Sequence, residues 1–103
     1  MHIECTRHLD ASEPDEDGGH DYYYEYDIYR FTDGALCLAA RSYTDEPDEA
    51  HFLNLLEHGQ LRLLADADLA HPLLLAARAH LLTTGKTRLH WLSGRGNGYE
   101  PLP

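Results

Sequence analysis

Glu25 and Asp27 stand two residues apart inside an aromatic run, Tyr22-Tyr23-Tyr24-Glu25-Tyr26-Asp27-Ile28-Tyr29. On a strand, residues i and i+2 share a face about 6–7 Å apart. Two carboxylates at that separation suit paired acid–base chemistry, one giving a proton and one taking it. The same spacing also arises wherever the end of a strand runs past the core into water. His80 is the other candidate proton carrier, because it falls in the apolar face of a segment with helical periodicity. A histidine placed there is either a neutral imidazole hydrogen-bonded to the backbone or a group that titrates near neutrality.

A second constellation suits recognition. Pairing Tyr22–Phe31 with Ala35–Tyr43 sets Tyr26 opposite Arg41 and Tyr24 opposite Tyr43. That arrangement permits a cation–π contact and an aromatic pair, and Tyr and Arg dominate the energetics of many binding surfaces. Tyr24, Tyr26, Arg41 and Tyr43, with Glu25 and Asp27, are therefore the expected binding residues.

Metal and cofactor chemistry finds little support in local spacing. Among eight histidines no HxH, HxxxH or HExxH motif occurs. His51 and His58, read as one helical face, would stand about 10 Å apart along the axis, too far to share an ion. The acidic segment at Glu13–Tyr24 resembles a calcium loop until its twelfth position, where Tyr24 replaces the required bidentate Glu. Gly94-Arg95-Gly96-Asn97-Gly98 follows a strand, but no helix follows to receive a phosphate. Neither metal nor cofactor is expected. Cys5 and Cys37 form no CxxC motif and read as two buried, reduced thiols in strands.

The elements that must position these residues follow from periodicity and turn chemistry. His2–Leu9 alternates, with Ile3, Cys5 and Leu9 on one side and Arg7 interrupting them. Asp10–Asp21 is an acidic loop without apolar period. Asp33-Gly34 predicts a two-residue hairpin turn between the next two strands. Pairing Thr32 with Ala35 then matches Phe31 with Leu36 and Tyr29 with Leu38 on one face. Thr44-Asp45-Glu46-Pro47 reads as a helix start, followed by Phe52, Leu53, Leu55 and Leu56 on one side of a wheel and closed by Gly59. Gln60–Leu64 is long enough for a short strand. A second helix, capped by Asp66 or Asp68, is predicted to run to about Thr84, with Pro72 in its first turn and Gly85 closing it. Leu69, Leu73, Ala76, Ala77, His80 and Leu81 form its main apolar face. Leu75, Ala79 and Leu82 form an outward stripe suited to a twin helix in a homodimer. Thr87–Leu92 is the last strand, and residues 93–103 are a Gly-rich flexible tail. The expectation is one α+β domain spanning 1–103, elements ordered β-β-β-α-β-α-β, with a mostly antiparallel sheet and two helices on one face.

Charge narrows the partner class. Residues 1–50 carry 14 Asp/Glu against 3 Arg, whereas residues 51–103 carry 4 against 5 Lys/Arg. Six of the acids fall in Asp10–Asp21 and four in Asp45–Glu49. Such a balance repels nucleic acid and anionic membranes and suits a basic protein partner. No apolar run approaches the length of a membrane span and no signal peptide is visible, so a cytoplasmic location is expected. The favoured function is a non-enzymatic protein-binding module. An inhibitor-like or immunity-like role is one version, by analogy from size and charge. The alternatives are a small hydrolase or isomerase using Glu25, Asp27 or His80, and an oligomeric structural subunit.

Overall fold

Alternating apolar and polar residues drive the first half of the chain into strands β1 (His2–Ala11), β2 (Tyr23–Asp33) and β3 (Leu36–Tyr43). The computed structural model describes residues 1–95 and 98–103. The three strands form an antiparallel meander. In β1, Ile3 and Cys5 lie opposite Phe31 and Tyr29, and Arg7 opposite Asp27. The β2–β3 faces are as predicted, but the partners differ by two residues. Phe31 pairs with Leu38, Tyr29 with Ala40, Asp27 with Ser42 and Tyr26 with Tyr43. The turn is responsible: Asp33 pairs with Leu36, so the two-residue loop is Gly34-Ala35. Gly34 carries the positive φ of +60° at the first loop position, which glycine adopts without steric cost.

The first predicted helix is instead strand β4 (Glu49–Glu57), and its presumed cap Asp45-Glu46-Pro47 lies in the turn that follows β3. A β-bulge explains the misleading pattern. β4 is antiparallel to β3, with Ala40 opposite Phe52 but Ala39 opposite Asn54, so Leu53 is the extra residue. The bulge reverses the alternation, and Ala50, Phe52 and Leu55 all reach the core. Apolar residues separated by two and then three positions imitate a helical stripe. Gly59 closes no helix: with His58 it forms a hairpin loop, φ +49° and +80°, leading to β5 (Gln60–Arg62). Positive φ at both loop positions is the signature of a type I′ turn.

The chain then makes a 3-10 turn (Asp66–Ala70) and the α-helix α1 (Pro72–Thr83). Asp68 caps the turn rather than the helix, accepting from Ala65 N at 2.7 Å and from Arg62. His71 Nδ1 accepts from Leu73 N and Pro72 occupies the first helical position, where its missing N–H costs nothing. Gly85, at φ +89°, ends the helix as predicted, and Lys86 N reaches back to Leu81 O. The described residues thus form one helix and a 3-10 turn, not two helices, beside a seven-stranded, largely antiparallel sheet.

Strand β6 (Arg88–Leu92) returns parallel to β4, and β7 (Tyr99–Pro101) pairs antiparallel with β6. The sheet order is β1-β2-β3-β4-β6-β7, with β5 beside the far end of β4. The end of the expected flexible tail is therefore a strand: its Leu102 N also donates to Leu89 O, and Arg78 holds the carbonyl of Pro103. Gly96 and Asn97 of the glycine-rich segment lie outside the described residues. The helix covers one face of the sheet. Leu73, Leu74, Ala77 and Leu81 pack on Phe31, Leu38, Ala40, Phe52, Leu55 and Trp91. Leu74 belongs to this face and Ala76 does not, being exposed. Cys5 is exposed and Cys37 half-buried; both are free. Cys5 points to the helix side with Tyr29 and Cys37 to the other, and β2 separates them. Among the described residues no helix is long and apolar enough to cross a membrane.

Candidate functional site

The face of the sheet away from the helix carries a continuous row of rings and charges. Cross-strand register explains it. His8, Tyr26 and Tyr43 are neighbours on β1, β2 and β3, and Arg41, His51, His90 and Pro101 are neighbours on β3, β4, β6 and β7. His8 stacks on Tyr26 at 5.5 Å between ring centres, and Tyr43 meets both Tyr26 and Tyr24 at 5.8 and 5.9 Å. The Arg41 guanidinium lies 5.0 Å from the centre of Tyr43 and 6.0 Å from that of Tyr26. Its Nη2 donates to the Tyr99 hydroxyl at 3.0 Å. The four residues expected to share a face do so, with Tyr26 opposite Tyr43 and Arg41 opposite Ile28 rather than the predicted partners.

Beside this row, Tyr24, Tyr43, Asp45, Glu46 and His51 line an open groove of about 300 Å³. The turn after β3 supplies its acids and is tied down from below. Lys86, itself buried, donates from Nζ to Pro47 O at 2.6 Å, and Ser42 Oγ donates to Glu49 O at 2.6 Å. Glu46 is held above the usual carboxyl range, first by hydrogen bonding to Glu49 and then by that residue's charge.

Glu49, His51 and His90 converge at the same place, their potential ligand atoms all within 4.8 Å of one another. His51 Nε2 lies 2.8 Å from Glu49 Oε1, and the other carboxylate oxygen meets Arg88. The two imidazoles stack at 5.3 Å, and Tyr99 abuts His51 edge-on at 4.9 Å. Three nitrogens along this rung are buried without a hydrogen-bond partner: Arg41 Nε, His51 Nδ1 and His90 Nδ1. Burial is the main cause that pulls the His51 pKa below its ordinary value, aided by His90 and Arg41 and opposed by Glu49. That shift favours the neutral imidazole, the form that accepts a proton or coordinates an ion. His51 and His58, read as one helical face, are separated still further along the strand, and the histidine that meets His51 is His90 on β6.

Glu25 and Asp27 lie on the helix side, beyond the end of the core. Arg7 claims both. Its Nε and Nη2 grip Asp27 at 2.6 and 3.1 Å, and Nη1 reaches Glu25 at 2.9 Å. Hydrogen bonding to Arg7 is the largest cause holding the Asp27 carboxyl below its usual range. A carboxylate gripped by a guanidinium fork is a weak proton acceptor. Glu25 also borders a groove of about 160 Å³ with Tyr23, Tyr24, Tyr43, Thr44 and Asp45. His80 is half-buried and packs edge-on against Tyr29 and Phe31 at 6.5 and 5.8 Å. It does not join the two carboxylates in one constellation. Leu75, Ala79 and Leu82 are exposed on the outer side of α1.

Reasoning from the sequence missed Glu49, His51, His90 and Tyr99. One signal was present. Ala50-His51-Phe52-Leu53 and Leu89-His90-Trp91-Leu92 are twin tetrapeptides, each placing a histidine before a large aromatic. Their parallel pairing, Ala50 with Leu89, His51 with His90 and Phe52 with Trp91, buries both aromatics and aligns both imidazoles. Compared with protein-family models, curated proteins and solved structures, the chain matches none.

Proposed function

We propose that this chain is a non-enzymatic binding module that docks a basic protein segment on the helix-free face of its sheet. The observation that carries the reading is the groove of Tyr24, Tyr43, Asp45, Glu46 and His51. Two aromatic rings and two carboxylates around one open groove form a receptor for a lysine or arginine side chain. Tyr26 and Arg41 extend the surface toward β1 and Tyr99, and the acidic first half steers a basic partner toward it. An inhibitor-like role in the cytoplasm is one form this takes; two unpaired thiols suit a reducing setting. Glu25 and Asp27, committed to Arg7, contribute charge rather than contact. The test is an NMR titration of labelled protein with an arginine-rich peptide at low and high salt. Shifts should concentrate on Tyr24, Tyr43, Asp45 and Glu46, and Tyr43→Ala should weaken binding by about tenfold or more. Shifts confined to the Asp10–Asp21 loop, or binding indifferent to salt, overturn it.

A second reading rests on the exposed helix stripe, where Leu75 and Leu82 keep 49% and 45% of their surface in solvent. A twin helix would cover them in a homodimer. Sedimentation of wild type and Leu75→Glu distinguishes the cases: a wild type that stays monomeric at high concentration rejects the dimer.

A further inference from the structure

We propose that Glu49, His51 and His90 form a binding site for a divalent transition-metal ion of the zinc class. Three observations support it independently of any protein partner. The first is convergence. The three side chains come from adjacent parallel strands, and their ligand atoms lie within 4.8 Å of one another. A tetrahedral ion with bonds near 2.0–2.1 Å sets its ligand atoms about 3.3 Å apart. Small side-chain adjustments therefore bring all three into a coordination sphere.

The second is unmet bonding capacity. His51 Nδ1 and His90 Nδ1 are buried with no hydrogen-bond partner. Leaving a buried polar atom unpaired is unfavourable, and such atoms in otherwise well-packed proteins frequently mark a site for water, an ion or chemistry. The third is rigidity. His51 and Glu49 keep only 16% and 14% of their side-chain surface exposed, and both stand on a central strand rather than a loop. Ligands held on strands lose little freedom on binding.

The donor set selects the class of ion. Two imidazoles and one carboxylate favour zinc, cobalt, nickel or iron(II) over calcium and magnesium, which prefer oxygen alone. The charges around the site do not forbid a cation. Arg88 engages Glu49 and also Asp48 and Glu46, and Arg41 is turned toward Tyr99 and Tyr43. Asp45 and Glu46 face the same groove. Three protein ligands leave a position open to water or a ligand atom from that groove. Arg41, the cross-strand neighbour of His51, brings an unpaired Nε–H to the same rung, a donor suited to a metal-bound water or anion.

The test uses the whole chain freed of metal by chelation, with zinc followed by calorimetry and cobalt followed by visible absorption and NMR. One ion per chain should bind with micromolar or tighter affinity. Cobalt should broaden the ring signals of His51 and His90 before those of His2, His8 and His20, a readout that needs no variant. Loss of an outer-shell partner alone commonly costs 10–100-fold in metal affinity, so His51→Gln and His90→Gln should each weaken binding by at least about tenfold. His58→Gln, in the turn after β4, should leave it unchanged. Binding weaker than micromolar, broadening centred on the N-terminal histidines, or wild-type affinity in either ligand variant overturns the proposal.

Discussion

Two clusters of chargeable side chains occupy opposite faces of one sheet, and they are finished to different degrees. On the helix side, Arg7, Glu25 and Asp27 form a closed set in which every guanidinium edge facing the carboxylates is used. On the other side, Glu49, His51, His90 and Arg41 leave three buried nitrogens without partners. The first cluster looks like chemistry in the sequence and is a structural clamp between β1 and β2. The second leaves little trace in the sequence and keeps the bonding capacity a ligand needs. The difference lies in satisfaction rather than residue type: a paired carboxylate has spent its interactions, whereas an orphaned imidazole has not.

The largest expected effect comes from the core face of β4. Phe52 is fully buried beside the bulge, and Phe52→Ala should cost about 3–5 kcal/mol. Deleting Leu53 should cost far less, because Phe52 and Leu55 then stand two residues apart on one face and Phe52 and Asn54 meet Ala40 and Ala39 in regular register. Urea unfolding followed by far-UV circular dichroism measures both variants. A Leu53 deletion as costly as Phe52→Ala would show that the bulge itself, and not the alternation it interrupts, holds the two faces of β4 in place.

The same bulge sets the limit of what could be read from the chain. Faces of β2 and β3 were legible because Gly34 announces a turn and Phe31, Tyr29, Leu38 and Ala40 alternate. Their exact partners were not, because Asp33-Gly34 and Gly34-Ala35 are both chemically acceptable loops. α1 was legible from its apolar face, Pro72 and Gly85. The helix expected over Asp45–Gly59 failed because Phe52, Leu55 and Leu56 imitate helical spacing once Leu53 is inserted. The candidate metal ligands stayed hidden for a different reason. His51 and His90 are 39 residues apart and meet only through a parallel pairing created by the α1 crossover. Local spacing rules for metal ligands carry no information about such a contact.

Asp27→Asn probes the closed cluster. Its carboxyl is pulled below the usual range mainly by hydrogen bonding to Arg7, so the folded value lies beneath the unfolded one. That difference contributes stability above the ordinary carboxyl value of about 4 and is lost as pH falls through the folded value. The substitution should therefore cost roughly 1 kcal/mol at neutral pH. The gap between wild type and variant should close in acid. Denaturant midpoints measured from neutral pH down into the acid range check this. A gap that persists unchanged in acid would assign the loss to packing instead of charge.

His51→Phe probes the open cluster, and its expected sign is opposite. Phenylalanine retains a ring against His90 and Tyr99 while removing a buried nitrogen that has no partner. It also gives up the contact between Nε2 and Glu49, which Arg88 continues to hold. Removing an uncompensated polar atom from a buried site is favourable, and the lost contact is partly solvated, so a net gain of roughly 0.5 kcal/mol is expected in metal-free buffer. Added zinc should reverse the order, because only the wild type gains from binding an ion in its folded state. Thermal melts with chelator and then with zinc measure both halves. If the phenylalanine variant is less stable than wild type under chelation, the imidazole already satisfies a structural need, and the two faces are finished alike.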